Sequence, residues 1–298
     1  MSVILDGIRL RDIGIRVKLN SDYPATPPTR DHIVTIPNMH GAHDMGAFLE
    51  PLDFNLECDT LANSQLGIEK TVSKLKEILF DQYARPKTIK LIFEFEPEKW
   101  YNVRFRGQMS IVRDVVLGEF PLQLTAYTPF KYAPATYYDP DFIATYDTDT
   151  YYDDGVTEYK NQTHTPFKNA RQYAGVFNYS HYATPFSFVI EGYVRNPKIT
   201  NTTSGVSAKF NGVTVEADER LYFDSELKTT WKVKASEDKW FWLTPYQIMK
   251  YPAQWDKLNH YNNMSGHFLE LVSGDNTILF EGEQPNAQVN FRWEHRFL

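Results

Sequence analysis

Three histidines and one aspartate in the first fifty residues come closest to a metal-binding set in this sequence. They are His32, His40, His43 and Asp44. Imidazole and carboxylate groups bind transition metals when the fold brings them to one point. The alternative is a polar loop at a contact between subunits. The sequence favours the contact, so no metal site is predicted.

An acidic stretch near the middle of the chain offers the oxygen ligands that calcium prefers. It contains Asp147, Asp149, Asp153 and Asp154 and ends at Gly155. The stretch lacks the EF-hand pattern, which requires glycine at the sixth position and glutamate at the twelfth. A solvated acidic loop is therefore favoured. No cofactor is predicted, and a divalent cation such as calcium stays open as an alternative.

Acidic and aromatic residues cluster again in the last third of the chain, at Asp224, Glu226, Trp231, Glu237, Asp238, Trp240 and Trp242. A glycosidase needs two carboxyl groups at a fixed separation, which a sequence does not reveal. A carbohydrate-binding module would instead use Trp240 and Trp242 as an exposed platform. Both interpretations remain open as alternatives to a structural role.

Other catalytic signatures are missing from the sequence. It has no phosphate-binding glycine-rich loop, no GxSxG elbow and no HExxH helix. Cys58 is the only cysteine, and its place in an alternating apolar stretch predicts a small core residue. We therefore expect a protein that is not an enzyme.

Composition and charge narrow the classes of partner. The 298 residues carry a formal net charge of −7 and 15% aromatic residues. A nucleic-acid-binding surface needs a surplus of cations, which is lacking here, although DNA could slide through a mildly acidic pore. The N-terminus resembles no signal peptide and no apolar stretch is long enough to span a membrane, so we expect neither secretion nor membrane insertion.

Two periodicities predict an α+β domain over residues 1–132. Apolar residues alternate at Leu52–Cys58, Ile89–Phe95 and Phe120–Ala126, as expected of strands with one face in a core. Between residues 66 and 83, Ile68, Val72, Leu75 and Leu79 form one stripe of an amphipathic helix. The helix is expected to end before Arg85-Pro86.

The sequence of the rest of the chain, residues 133–298, predicts a β-sandwich, because short alternating strands are separated by turn residues. Asn211-Gly212 is a typical hairpin dipeptide, so a hairpin is predicted around it. Residues 137–182 depart from this pattern, since they are rich in Tyr and Asp and poor in aliphatic residues. Such a segment cannot form a core, so it is either a disordered linker or a protruding contact arm. Its aromatic content favours the arm, because disordered segments are usually poor in Tyr and Phe. Its proposed contact residues are Tyr137, Tyr138, Tyr146, Tyr151, Tyr152, Tyr159, Phe167 and Tyr173.

Several segments, in order, resemble the distal tail (Dit) proteins of siphophages. They are Ile4–Leu10, Ile33–Gly41, the helix with its following strands, Glu191–Ile199, Asn211–Val215, Leu221–Ser225 and Gly266–Ile278. Asn38 stands where that family usually has the first glycine of a loop. The length and the Tyr/Asp-rich insert are most similar to the distal tail proteins of lactococcal siphophages with a saccharide-directed baseplate.

The resemblance implies a mainly β protein in the tail tip of the virion, made in the cytoplasm of the host. Residues 1–132 would form a homohexameric ring between the tail tube protein and the tail-associated tip protein, with a central channel through which DNA passes. Residues 133–298 would form a galectin-like β-sandwich. Its arm at about 137–182 would hold trimers of the receptor-binding protein. No contact with a membrane is implied.

Overall fold

The computed structural model describes residues 2–60, 64–113, 118–137, 163–234, 258–259 and 263–298. The chain divides into two compact units. Unit 1 comprises Met1–Ala133 with Phe297–Leu298, and unit 2 comprises Pro134–Arg296. No helix in the described ranges has the length and apolar character needed to cross a membrane.

Unit 1 contains a large antiparallel sheet, one α-helix, a short 3-10 helix and a separate hairpin. Its elements are β1 (Val3–Leu5), β2 (Ile8–Arg9), the 3-10 helix (Leu10–Ile13), β3 (Ile15–Val17), β4 (Thr29–Val34), β5 (His43–Leu49), β6 (Leu52–Thr60), α1 (Gln65–Leu79), β7 (Thr88–Phe93), β8 (Trp100–Phe105), β9 (Val112–Arg113), β10 (Gly118–Ala126) and β11 (Lys131–Pro134). The sheet has the order β2-β1-β7-β8-β10-β6-β3, while β9 pairs with β10 and β11 with β8.

The core of unit 1 follows the two predicted periodicities. Strand β6 buries Leu52, Phe54, Leu56 and Cys58. In α1, all four residues of the predicted stripe are at most 3% exposed. The helix begins after Ser64, whose Oγ accepts a hydrogen bond from the Gly67 backbone N–H at 3.1 Å. The amphipathic helix is thus confirmed.

The helix ends at Leu79, earlier than expected. Phe80 is extended (φ −121°, ψ 150°). The Asp81 carboxylate then accepts hydrogen bonds from the backbone N–H groups of Tyr83 and Arg85, both at 2.8 Å. This turn satisfies backbone groups that a longer helix would have used. The constraint imposed by Arg85-Pro86 was therefore not what stopped the helix.

Unit 2 is built around two long strands. Its elements, with the closing strand, are β12 (His164–Phe167), β13 (Arg171–Asn178), β14 (Thr184–Pro185), β15 (Ser187–Asn201), β16 (Val206–Phe210), β17 (Thr214–Val215), β18 (Glu219–Asp224), β19 (Thr229–Lys234), β20 (Leu258–Asn259), β21 (Met264–Gly266), β22 (Glu270–Leu271), β23 (Gly274–Arg292) and β24 (Glu294–Phe297). Strands β15 and β23 pair along most of their lengths, with register shifts between Tyr193 and Lys198.

The register shifts divide β15 into two parts that pair with different strands. The first part of β15 pairs with β18, and its last part pairs with β16. Gly192 lies beside the register shifts with φ +104°, and a Cβ there would come within 2.7 Å of the Asn286 carbonyl oxygen. Both parts of β15 contribute to one core, since Phe188 and Ile199 belong to the same buried cluster. The mainly β fold class is confirmed.

Three buried asparagines stabilise the loops of unit 2 through side-chain hydrogen bonds. Asn178, Asn201 and Asn276 are at most 1% exposed. The Asn276 side chain accepts from the Val272 N–H at 2.9 Å and donates to the Val272 carbonyl at 2.8 Å. Its Oδ1 also accepts from Asn201 Nδ2 at 3.0 Å. Because each group has partners, these polar side chains stabilise rather than weaken the core.

The hairpin predicted around Asn211-Gly212 is wrong. Gly212 has a positive φ of +69°, as such a turn requires. However, β16 pairs with β15 and β21, and β17 pairs with β15. The long strand β15 offers a partner to both short strands, so they do not pair with each other.

The predicted arm is wrong at its C-terminal end. Strand β12 pairs with the end of β23, and β13 pairs with its beginning. Thr165, Ala174 and Val176 are buried. Small and β-branched residues at alternate positions therefore place these strands in the sheet, which the overall Tyr-rich composition had obscured. Residues 138–162 lie outside the described residues.

Candidate assembly interface

Strands β4 and β5 form a two-stranded hairpin that pairs with no other strand among the described residues. Every residue of both strands is exposed. The pairing begins at Thr29–Leu49 and ends at Val34–His43, with a bulge between Asp31 and Ile33. We call residues 29–49 the free hairpin.

The free hairpin carries apolar side chains on both faces. Phe48 pairs with Arg30 and so shares a face with Val34, while Leu49 pairs with Thr29 and shares the other face with Ile33. Ile33 is 62% exposed and Phe48 60%. The exposed apolar residues of the hairpin are Ile33, Val34, Ile36, Met39, Met45, Phe48 and Leu49.

An isolated hairpin is at best marginally stable in water, and a contiguous exposed apolar patch usually marks a binding surface. The free hairpin combines both features. Covering its two faces would remove a large apolar area from water at about 25 cal/mol per Å2. The free hairpin is therefore the candidate interface of unit 1.

The tip of the free hairpin is held by a tight turn. The Ile36 carbonyl accepts a hydrogen bond from the Met39 N–H at 3.1 Å. Pro37 occupies the second position of the turn and Asn38, with φ 68°, the third. A turn of this kind needs a residue that tolerates a left-handed backbone, as glycine or asparagine does. Asn38 thus keeps the conformation that a glycine would adopt there.

The four residues considered as metal ligands all lie on the free hairpin. The His32 ring packs edge-on against Phe48, with centroids 5.3 Å apart. The Asp44 carboxylate accepts a hydrogen bond from the Gly46 N–H at 2.8 Å. Within the described ranges, no three His, Cys, Asp or Glu side chains converge as metal ligands would. The alternative, a contact between subunits, stays a prediction.

Sequence reasoning did not identify Met45 and Phe48 as interface residues, because it treated the stretch around His40, His43 and Asp44 as a polar loop. In the structure, His43 to Leu49 form β5. The neighbouring pairs Ile33-Val34 and Phe48-Leu49 were the available signal. Consecutive apolar residues in a strand put apolar groups on both of its faces.

The acidic and aromatic residues of unit 2 do not form a described catalytic pair. The Asp224 carboxylate accepts hydrogen bonds from the backbone N–H groups of Glu226 (2.9 Å) and Leu227 (3.0 Å), which closes a turn. Glu226 lies 3.4 Å from an Arg296 guanidinium nitrogen. Glu237, Asp238, Trp240 and Trp242 lie outside the described residues, as do the calcium candidates at 147–155.

Unit 2 also has an open groove of about 540 Å3 beside Phe268. The Phe268 ring stacks on Phe223 at 5.1 Å, and the Lys228 ammonium lies 5.3 Å from its centroid. A sugar-binding platform needs an uncovered aromatic face. Phe268 does not offer one in this arrangement.

The eight predicted contact residues of the arm fall into three groups. Phe167 is wrong as an exposed contact, because its side chain is fully buried in the core of unit 2. Tyr173 is 52% exposed on β13, and Tyr137 is half-buried with its ring 6.1 Å from that of His295. The other five lie outside the described residues: Tyr138, Tyr146, Tyr151, Tyr152 and Tyr159.

Two buried groups have strongly shifted pKa values without forming a catalytic site. Burial raises the pKa of the Cys58 thiol to about 12, which keeps it protonated and unreactive. Burial also lowers the pKa of His295 to about 4, against a smaller opposing effect of the Ala135 backbone. The Tyr179 N–H donates to His295 Nδ1 at 3.2 Å, which favours the neutral ring.

Comparison of the sequence with known protein families gives a match within unit 1. Residues 8–126 match the family model described as the phage tail protein RIFT-related domain. This range contains the free hairpin, α1 and most of the sheet. No curated protein sequence matches the chain significantly.

Comparison of structures covers both units. The crystal structure of SPP1 Dit (gp 19.1), described as a paradigm of the hub adsorption apparatus in phages infecting Gram-positive bacteria, is similar with a TM-score of 0.60 and 14% identity, over 100% of this chain and 99% of that chain.

Two structures of the phage p2 baseplate in its activated conformation also match, each with 8% identity. The calcium form covers 96% of this chain and 92% of that chain with a TM-score of 0.46, and the strontium form covers 99% and 97% with 0.47. These two scores are too low to carry an inference. The lactococcal assignment stays a prediction.

The family match and the SPP1 Dit similarity agree with each other and with the resemblance found in the sequence, which they confirm. The chain therefore carries a phage tail protein domain at residues 8–126, and its fold over both units is that of SPP1 Dit.

Proposed function

We propose that this protein is the hub of a phage tail tip. Six copies form a ring through unit 1, with a central channel for DNA, between the tail tube protein and the tail-associated tip protein. The role is structural, without catalysis. A net charge of −7 suits a channel that must not retain DNA.

The observation that carries this proposal is the free hairpin. It exposes apolar side chains on both faces, and within the described chain nothing covers them. A monomeric protein would gain little from such an element, whereas a subunit of an assembly needs one. The free hairpin lies inside the range that matches the phage tail domain.

A second part of the proposal concerns the arm. Residues 138–162 are rich in Tyr and Asp and precede strand β12 of unit 2. Such a composition is typical of contact loops. We propose that this segment holds trimers of the receptor-binding protein. Deleting residues 138–162 should abolish capture of those trimers and leave the assembly of unit 1 unchanged.

The ring is tested by the solution mass of the purified chain, measured by light scattering on a sizing column. The expected mass is six times 34.7 kDa. Phe48→Asp should yield a monomer, because a carboxylate would have to be buried in the contact. Leu19→Asp, at a site 88% exposed outside the hairpin, is the matched control and should assemble normally.

Two results would contradict the proposal. A wild-type chain that stays monomeric at high concentration would argue against a self-assembling ring. A Phe48→Asp variant with the full six-fold mass would show that the free hairpin is not the assembly surface.

A further inference from the structure

One dipeptide of unit 2 combines the residue types that react without an enzyme. Asn211-Gly212 is the only Asn-Gly pair in the sequence, and both residues are exposed to water. Asparagine is thermally labile. A glycine that follows it offers the least steric resistance to ring closure, because it has no Cβ. The pair is therefore a candidate site of spontaneous deamidation.

The reaction has two steps. The Gly212 nitrogen loses its proton to water and attacks the Asn211 side-chain carbon Cγ. The new N–Cγ bond closes a succinimide ring, while the Cγ–Nδ2 bond breaks and ammonia leaves with a proton from water. Water then opens the ring at either carbonyl, which gives aspartate or isoaspartate. The first step needs a free Gly212 N–H and an Asn211 side chain that can rotate towards it.

The Gly212 N–H is not free in the folded chain. It donates to Asn196 Oδ1 at 2.8 Å. Asn196 Nδ2 in turn donates to Glu283 Oε1 at 2.9 Å, and the Asn196 N–H donates to the Val213 carbonyl at 2.8 Å. Asn196 is thus fixed through its backbone and through both polar atoms of its side chain, which keeps its oxygen on the Gly212 N–H.

The backbone of Asn196 indicates that this position is imposed by its surroundings. Its φ is +50°, in the left-handed region, although it directly precedes Pro197. A residue before proline favours an extended backbone. An unfavourable conformation of this kind persists only where neighbouring interactions determine it. Here those interactions are the hydrogen bonds to Gly212, Val213 and Glu283.

The Asn211 side chain is restrained separately. Its Nδ2 donates to Ser265 Oγ at 3.0 Å. The Asn211 backbone N–H donates to the Asn263 carbonyl at 2.9 Å. Rotation of the side chain towards Gly212 would break its hydrogen bond to Ser265. Two independent restraints therefore oppose the closure of the ring.

We propose that Asn211 is a deamidation site that the folded chain keeps unreactive, and that Asn196 does so by holding the Gly212 N–H. Isoaspartate would add a methylene group to the backbone beside Val213, which is 2% exposed in the core of unit 2. Deamidation would therefore disturb the turn that leads from β16 to β17. Nothing in this reaction depends on the proposed ring.

Incubation of the full chain at mildly alkaline pH tests the proposal, with peptide mapping by mass spectrometry to follow the Asn211 amide. The folded wild type should keep this amide over a period in which the chain unfolded in guanidinium chloride loses it. Asn196→Gly should lose it about fivefold faster than the folded wild type, the factor that corresponds to one hydrogen bond. Glycine tolerates the left-handed backbone, so the change removes only the side chain.

The matched control is Asn196→Asp/Glu283→Gln, which exchanges the amide and the carboxylate. It keeps the net charge, an acceptor for the Gly212 N–H and a hydrogen bond between residues 196 and 283. It should react at the wild-type rate. Ser265→Ala, at an exposed position, removes the second restraint and should also accelerate the reaction.

Several outcomes would overturn the proposal. One is a folded wild type that deamidates at Asn211 as fast as the unfolded chain. Another is a wild-type rate in Asn196→Gly, or a double variant as fast as Asn196→Gly, since the accepting oxygen would then have no effect. The rate in Asn196→Gly should also stay constant in urea below the unfolding transition. A rate that rises steeply there would place the reaction in the globally unfolded chain and contradict the local role of Asn196.

Discussion

Acid should destabilise unit 2 through His295. The ring is fully buried and neutral, with its pKa lowered to about 4 by burial. In the unfolded chain the imidazole has a pKa near 6.5. Between these two values the unfolded state binds more protons than the folded state, so the free energy of unfolding falls as the pH falls.

The size of the effect follows from the two pKa values. A difference of about 2.5 units corresponds to about 3 kcal/mol when fully expressed. Between pH 7.5 and pH 4.5, about 2.5 kcal/mol of stability should be lost through this one group.

The assay is urea unfolding of the full chain at pH 7.5, 6.0 and 4.5, with the wild type compared with His295→Asn. The asparagine carbonyl can still accept the Tyr179 N–H but does not titrate. The variant is expected to be less stable at pH 7.5, because it loses ring contacts with Tyr179 and Trp293.

The difference between wild type and variant should shrink by about 2.5 kcal/mol on going to pH 4.5. A difference that stays constant with pH would refute the reasoning. It would mean that His295 is either solvated or already paired when protonated.

Two further predictions concern buried polar and thiol groups. Asn276→Ala should lower the free energy of unfolding by about 3 kcal/mol, because it leaves backbone groups of Val272 unpaired. The control, Asn169→Ala at an exposed position, should change the free energy of unfolding by less than about 0.5 kcal/mol in the same urea titration. Equal losses in the two variants would contradict the argument. Cys58 should resist iodoacetamide in the native protein and react in urea, as followed by mass spectrometry; rapid native labelling would show that the thiol is not buried as described.

The sequence predicted those elements whose apolar period matches one buried face. Leu56 and Leu122 lie opposite each other in β6 and β10 and are fully buried, as the alternation required. The stripe of α1 was equally clear. In both cases local geometry alone decides which side chains face the core.

Partners of strands were harder to predict, because turn residues act locally. Gly212 has the backbone of a hairpin turn, yet its N–H donates to the Asn196 side chain at 2.8 Å and its two flanking strands pair with β15. Which strand pairs with which depends on the apolar faces that meet in three dimensions, and a dipeptide does not encode that.

The candidate interface was hidden for a related reason. Ile33-Val34 in a strand is equally compatible with burial on both faces and with exposure on both. Only the absence of a flanking strand in the described sheet distinguishes the two. The free hairpin was therefore recognised as a candidate interface from the exposure of its side chains in the structure, not from its residue types.

The long strand β23 has a consequence for how unit 2 is made. Strands β12, β13 and β15 all pair with it, although they precede it by many residues: Asn178 pairs with Gly274, and His164 with Asn290. During synthesis these earlier strands emerge with unpaired edges and wait for a distant segment. Such long-range closure slows folding and exposes aggregation-prone edges meanwhile. Production of this protein should therefore depend more on the speed and chaperoning of this one closure than on the final stability of the fold.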